Sequence, residues 1–165
     1  DEKGEFVRNP EEDIVKVAVV ERHQGTGNVA CGFLKGYGIK AGAVALSIAH
    51  DSHNIIVVGV SDEEMEFAVN SLIAQEGGMV LVKEGKVIES MPMPIAGLMS
   101  DQSGEWVDEK LTAIHAKAYE ELGIAGDVEP VMTLCFMSLA VIPEVKLTDM
   151  GLFDVTTFSF IPVEA

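Results

Sequence analysis

Apolar positions fall in short solid runs in one part of this chain and in helical stripes in another. Ile14 to Val20, Ala43 to Ala49 and Ile55 to Val60 are rich in Val and Ile. They are too short for buried helices, so each is read as a strand. From Ser61 the period changes: Met65, Ala68, Val69, Leu72 and Ile73 share one stripe, which predicts a helix to about Gln75. Ser61-Asp62-Glu63-Glu64 has the spacing of a capping box at its start, and Gly77-Gly78 stops it. Met79 to Lys83 and Lys86 to Ser90 flank Glu84-Gly85, a hairpin signal because such a turn needs the positive φ that Gly adopts cheaply. Pro92 and Pro94 close the hairpin. After Ser103, the residues Val107, Leu111, Ile114, Ala118 and Leu122 mark one face of a long helix ending at Gly123.

Three segments read less simply. Gly32, Gly36, Gly38 and Gly42 interrupt Cys31 to Gly42, which is expected to be loop or short helical turns. Val131 to Ile142 is almost wholly apolar, and the pattern fits a central strand or a buried helix equally. Leu152 to Ile161, with Phe158 and Phe160 alternating, is expected to be one final strand. Residues 1–13 are acidic and carry Asn9-Pro10, an expected tail or linker before a domain spanning residues 14–165. The whole predicts a single layered domain, α/β or α+β, with a mixed β-sheet flanked by helices.

Charge narrows the function classes. Eleven Lys and Arg face 27 Asp and Glu, a net charge of −16, so neither a nucleic-acid backbone nor an anionic membrane would attract this surface. Residues 1–5 lack the pattern of a signal peptide, and no apolar run approaches the ~20 residues of a membrane span. A soluble, cytoplasmic protein is expected. Cys31 and Cys135 sit among apolar neighbours without a CxxC spacing, the pattern of buried, reduced thiols.

The most unusual polar feature is His50-Asp51-Ser52-His53-Asn54, lying between two apolar strands. Sites often form at strand ends, although Asp, Ser and Asn also build plain turns. His50 and His53 alone lack the further ligands that a metal requires, so no metal site is assigned to this chain. Arg22 and His23, in the polar stretch Glu21 to Asn28, are further candidates for lining a pocket. Gly25-x-Gly27-x-x-Ala30 matches a dinucleotide-binding pattern, yet four polar residues separate it from the preceding strand and glycines break the next segment. That reading is rejected. His115, next to Ile114 in the long helix, is expected to border its buried face.

Several strings, in order, resemble the carboxy-terminal domain of bacterial adenine deaminase, of the metal-dependent amidohydrolase type. They are Val19-Val20-Glu21-Arg22-His23, Gly32-Phe33-Leu34-Lys35-Gly36, Ile48-Ala49-His50-Asp51-Ser52-His53-Asn54-Ile55-Ile56-Val57-Val58-Gly59, Pro94-Ile95-Ala96-Gly97-Leu98-Met99-Ser100-Asp101 and Ile142 to Val155. The resemblance covers about Ile14 to the end. It implies hydrolysis of adenine to hypoxanthine and ammonia in purine salvage, at a manganese or iron pair held in a preceding amidohydrolase barrel. The barrel's histidines have no counterpart here, so the isolated chain is expected to be inactive. His50, Asp51, Ser52, His53 and Asn54, with Arg22 and His23, are expected to face the barrel mouth. The implied partners are the barrel, adenine as substrate of the full enzyme, and further copies in a homo-oligomer. The alternatives are a free-standing purine-binding module and a purely structural or oligomerisation module.

Overall fold

The computed structural model describes residues 8–163. Its strands and helices are β1 (Ile14–Val20), β2 (Val29–Lys35), β3 (Ala43–Leu46), β4 (Ile55–Gly59), α1 (Asp62–Ala74), β5 (Gly78–Lys83), β6 (Lys86–Pro92), α2 (Gly104–Glu120), α3 (Pro130–Cys135), β7 (Val145–Thr148), β8 (Gly151–Asp154) and β9 (Ser159–Ile161). A six-stranded sheet in the order β2-β1-β4-β3-β5-β6 forms the middle layer, and β7-β8-β9 form a second, small sheet. The class is α+β, layered as expected. The unit β4-α1-β5 does join two strands that run the same way, the sense in which the sheet is mixed. Because β3 lies between them, every hydrogen-bonded neighbour pair is antiparallel.

Strands β3 and β4 are buried along their whole length because both faces of the sheet are covered. On one face, Ala43, Ala45, Val57, Val80 and Val82 pack under Met65, Ala68 and Leu72 of α1. On the other, Val17, Val19, Val44, Ile56, Val58 and Leu81 meet Ile114 and Ala118 of α2 and Leu134 of α3. The period-2 alternation of each strand thus feeds two separate cores. Ser61 caps α1 by accepting from the Glu64 amide at 3.3 Å, and Ser103 caps α2 by accepting from the Trp106 amide at 3.3 Å. The predicted tight turn is present, with φ of 52° at Glu84 and 67° at Gly85.

Four expectations need correction. The stretch 31–42 is not all loop: β2 occupies its first part, pairing with β1 from Val29 opposite Val20 to Lys35 opposite Ile14. Gly32 lies where the small sheet crosses β2, and a Cβ there would make ordinary contact with a Leu152 methyl at 3.4 Å. Cys31 is consequently exposed on β2, while Cys135 is buried, and both are free thiols. Of the two readings of 131–142, the buried helix holds for the first part only, with Val131, Leu134 and Cys135 buried. The segment is the short α3 followed by tight turns, with Pro130 at the first helical position and the Glu129 side chain capping the Met132 amide. The segment 152–161 is two strands, because the Asp154 carboxylate accepts from the Thr156 amide at 2.8 Å and the Thr157 hydroxyl at 2.9 Å, folding a turn between β8 and β9.

Residues 1–7 of the expected tail lie outside the described residues. Residues 9 and 14 pair through backbone hydrogen bonds, and the Asp13 carboxylate accepts from the Gly38 amide at 2.9 Å. Antiparallel pairing places the connections 21–28, 47–54, 75–77 and 93–103 at one end of the large sheet. The connections 36–42, 60–61 and 84–85 lie at the other.

Candidate functional site

At the first of these ends, the structure brings together all the candidate residues. Glu21 and Arg22 leave the end of β1, and the loop 50–54 leads into the start of β4, which is paired with β1. The two segments therefore lie side by side. The Arg22 amide donates to Asn54 Oδ1 at 3.3 Å. Its Nε donates to the His53 carbonyl at 2.5 Å, and Nη2 donates to the Ala96 carbonyl at 2.9 Å. His23 Nε2 lies 2.7 Å from the Ser52 carbonyl; a carbonyl only accepts, so the proton sits on Nε2.

Arg22, His23 and Asn54 are thus committed to backbone. His50, Asp51 and His53 are not tied in the same way. The His50 and His53 rings meet edge to face with centroids 5.4 Å apart, and His50 lies against the Phe136 ring at 5.0 Å. The His50 amide donates to the Cys135 carbonyl at 2.9 Å, which anchors the loop to the end of α3. His53 Nδ1 is buried without a partner, leaving Nε2 as the hydrogen-bonding edge of that ring.

Electrostatics reinforce the split. Burial holds the His53 pKa below the ordinary imidazole value, with His50 and Arg22 adding in the same direction against Asp51. The Glu21 carboxyl is lowered to about 2, first by the Thr26 amide and then by the Gln24 amide. Its oxygens lie 2.7 Å from the Gln24 amide and 3.0 Å from the Thr26 amide, so Glu21 organises its own hairpin loop. Burial also lowers the Arg22 pKa, although a guanidinium so shifted stays charged at neutral pH.

Sequence reasoning missed the support beneath this cluster. Ser47, fully buried, accepts from the Gly78 amide at 2.7 Å and donates to the Gly97 carbonyl at 2.5 Å. A Cβ on Gly77 would meet Gly97 Cα at 2.6 Å, so these two connections touch where a side chain cannot fit. One signal was present: Ser47 is a lone hydroxyl inside an apolar run. Beside Arg22 opens a cleft of about 320 Å³, walled by Val20, Ile55, Leu72 and Ile73, with Glu76 at its edge. A second groove of about 360 Å³ runs along α1 over β1 and β2, but its lining is mainly apolar and it lies away from the loop.

The rejected dinucleotide pattern leads into strand β2, not a helix. His115 bonds the Leu111 carbonyl at 2.7 Å and the Glu129 carboxylate, a structural placement beside the buried face of α2. Among the described residues, no three His, Cys, Asp or Glu side chains converge as a metal site requires. The residues do not fit a metal pair. Among the described residues, no helix is long and apolar enough to cross a membrane.

The fold is thus a layered α+β domain that gathers an arginine, two histidine-bearing loops and a glycine turn at one sheet end. Comparison with known proteins gives the family. The chain belongs to the adenine deaminase C-terminal domain family, which it matches over residues 1–159. It is 73% identical over 162 residues to adenine deaminase 2 of Desulfotalea psychrophila, covering 98% of this chain and 28% of that protein. It is 53% identical over 164 residues to adenine deaminase of Ligilactobacillus salivarius, covering 99% of this chain and again 28% of the relative. The chain thus spans a little over a quarter of the length of these curated relatives.

Proposed function

We propose that this chain works as the carboxy-terminal part of an adenine deaminase and closes over an active site built in another part of the enzyme. The reaction is adenine plus water to hypoxanthine plus ammonia, as part of purine salvage in the cytoplasm. A manganese or iron pair and its ligands belong to an amidohydrolase barrel outside these residues. The observation that carries the reading is the division of labour at the loop. Arg22, His23 and Asn54 bind backbone, which leaves Asp51 exposed and His50 and His53 half-buried at the surface of the loop.

That surface suits a purine. The free nitrogen of a neutral imidazole is a donor or an acceptor according to its tautomer, and the adenine edge carries an amino donor beside ring-nitrogen acceptors. The lowered pKa of His53 keeps its ring neutral at pH 7. Seated on the base, the loop excludes bulk water, and its imidazoles and carboxylate take or supply hydrogen bonds as the amino group leaves.

The test is a chimera in which this chain replaces the matching quarter of the D. psychrophila enzyme. The chimera is expected to release ammonia from adenine, and the purified chain with added manganese is expected not to. Replacing His50 and His53 together by Ala in the chimera is expected to lower the rate roughly 10- to 100-fold. An unchanged rate and adenine KM would remove the loop from the site. A second reading, a module for docking and homo-oligomer contacts, draws on the apolar surface of the small sheet, where Met150 and Phe158 are at least 70% exposed. A chimera that is active but indifferent to the histidines, with a changed oligomeric state when Phe158 becomes Ser, would favour it.

A further inference from the structure

From the Arg22 geometry we infer that this residue, seated over Gly97, is a positioning residue that fixes how the 50–54 loop presents His50 and His53. In its bearing on catalysis the inference rests on the reading above. In its bearing on structure it stands alone. One guanidinium bonds two carbonyls from connections far apart in sequence, His53 through Nε and Ala96 through Nη2, while the Arg22 amide takes Asn54. It joins the β1-β2, β3-β4 and β6-α2 connections at one point.

The side chain is committed to carbonyls in a chain of net charge −16, where carboxylates abound. A role in charge balance would have been met by an ion pair. A fork that spans two carbonyls is a geometric device, and its planar, fixed donors are what lysine lacks. Gly97 makes the seat possible. A Cβ there would meet Nη1 at 3.0 Å, Nη2 at 3.1 Å and Cζ at 3.2 Å, and its φ of +74° already disfavours a side chain. Ser47 pins the same glycine from below through its carbonyl. The chain from Ser47 to Gly97 to Arg22 to the His53 carbonyl is a continuous support for the loop.

The experiment tracks imidazole signals and amide exchange in the isotope-labelled chain, comparing the parent with R22Q, R22K, G97A and, as control, R8Q. Arg8 also reaches a carbonyl, that of Lys40, at the opposite end of the sheet. Expected in R22Q and R22K alike are displaced His50 and His53 ring signals and exchange faster by roughly tenfold or more at the 50–54 amides, with strand protection unchanged. In R22Q the His53 titration also moves up, because a positive neighbour is lost. G97A is expected to move the same signals from the other side of the contact, and R8Q to leave them in place. Restoration of the parent signals by Lys, or unmoved loop signals in R22Q, overturns the inference.

The same substitutions in the chimera separate the two readings. A kcat lowered roughly 10- to 100-fold, with adenine KM less affected, supports both. A loosened loop with unchanged kinetics supports positioning and overturns the placement of the loop at the substrate. Lost activity with an unmoved loop means that Arg22 meets substrate itself, which overturns the inference and leaves the function standing.

Discussion

Replacing Ser47 by Ala tests whether the support under the loop is held by hydrogen bonds or by packing. Ser47 has no exposed surface, and its hydroxyl satisfies both the Gly78 amide at 2.7 Å and the Gly97 carbonyl at 2.5 Å. Each bond is worth about 1 kcal/mol net, but leaving a buried group unpaired costs about 1–3 kcal/mol. Two groups lose their partner together, so the loss is expected at about 2–4 kcal/mol. For a chain of this size that lowers the midpoint of thermal unfolding by roughly 5–15 °C. The assay is thermal and urea unfolding monitored by circular dichroism, with Ser71→Ala as control. Ser71 lies within α1, well past the Ser61 cap, and its replacement is expected to change stability by less than about 0.5 kcal/mol. A Ser47→Ala shift no larger than that of Ser71→Ala would show that water or backbone adjustment satisfies both glycine groups, and the hydroxyl would lose its structural role.

Two further outcomes are expected. With a small thiol reagent at mild alkaline pH, Cys31 labels within the mixing time, whereas Cys135 reacts only on unfolding, because burial removes access and pushes its thiol up to about 11; fast labelling of two thiols per chain in the folded protein would refute the burial of Cys135. His53 should make the loop sensitive to acid: its folded pKa lies below the unfolded value of about 6.5, so the unfolded or opened loop binds more protons and stability falls as pH drops through that value. Protection of the bonded amides in 50–54, taken relative to the intrinsic exchange rate at each pH, is expected to fall between about pH 7 and pH 5, and His53→Gln should flatten that dependence.

The elements legible in the sequence were those that a local interaction decides. Ser61 and Ser103 cap helices through amides three residues on, and Glu84-Gly85 turns the chain by itself. β2 was hidden because Gly32 and Gly36 interrupt its apolar pattern, while the strand is set by pairing with β1 and by contact with Leu147 and Leu152, more than a hundred positions away. The turn at residues 155–158 was hidden by two alternating phenylalanines, although Asp154 and its threonines carried the turn chemistry. The site divides in the same way. Its polar loop stood out between two strands, and the residues that meet there were named. Which of them bind backbone and which do not depends on contacts spanning 31 and 74 positions, and on Gly97 having no Cβ. Periodicity carries no information about such contacts.

The antiparallel order of the large sheet gives the molecule two unequal ends. The connections that carry the candidate residues leave one end, and the Glu84-Gly85 hairpin leaves the other, a strand length of roughly 17–20 Å away. An affinity peptide or a fluorophore inserted between Glu84 and Gly85 would ride on the far rim, out of reach of the histidines. The same separation gives heredity a free hand: insertions can accumulate at the hairpin rim while the opposite rim stays constrained by three connections that share one arginine.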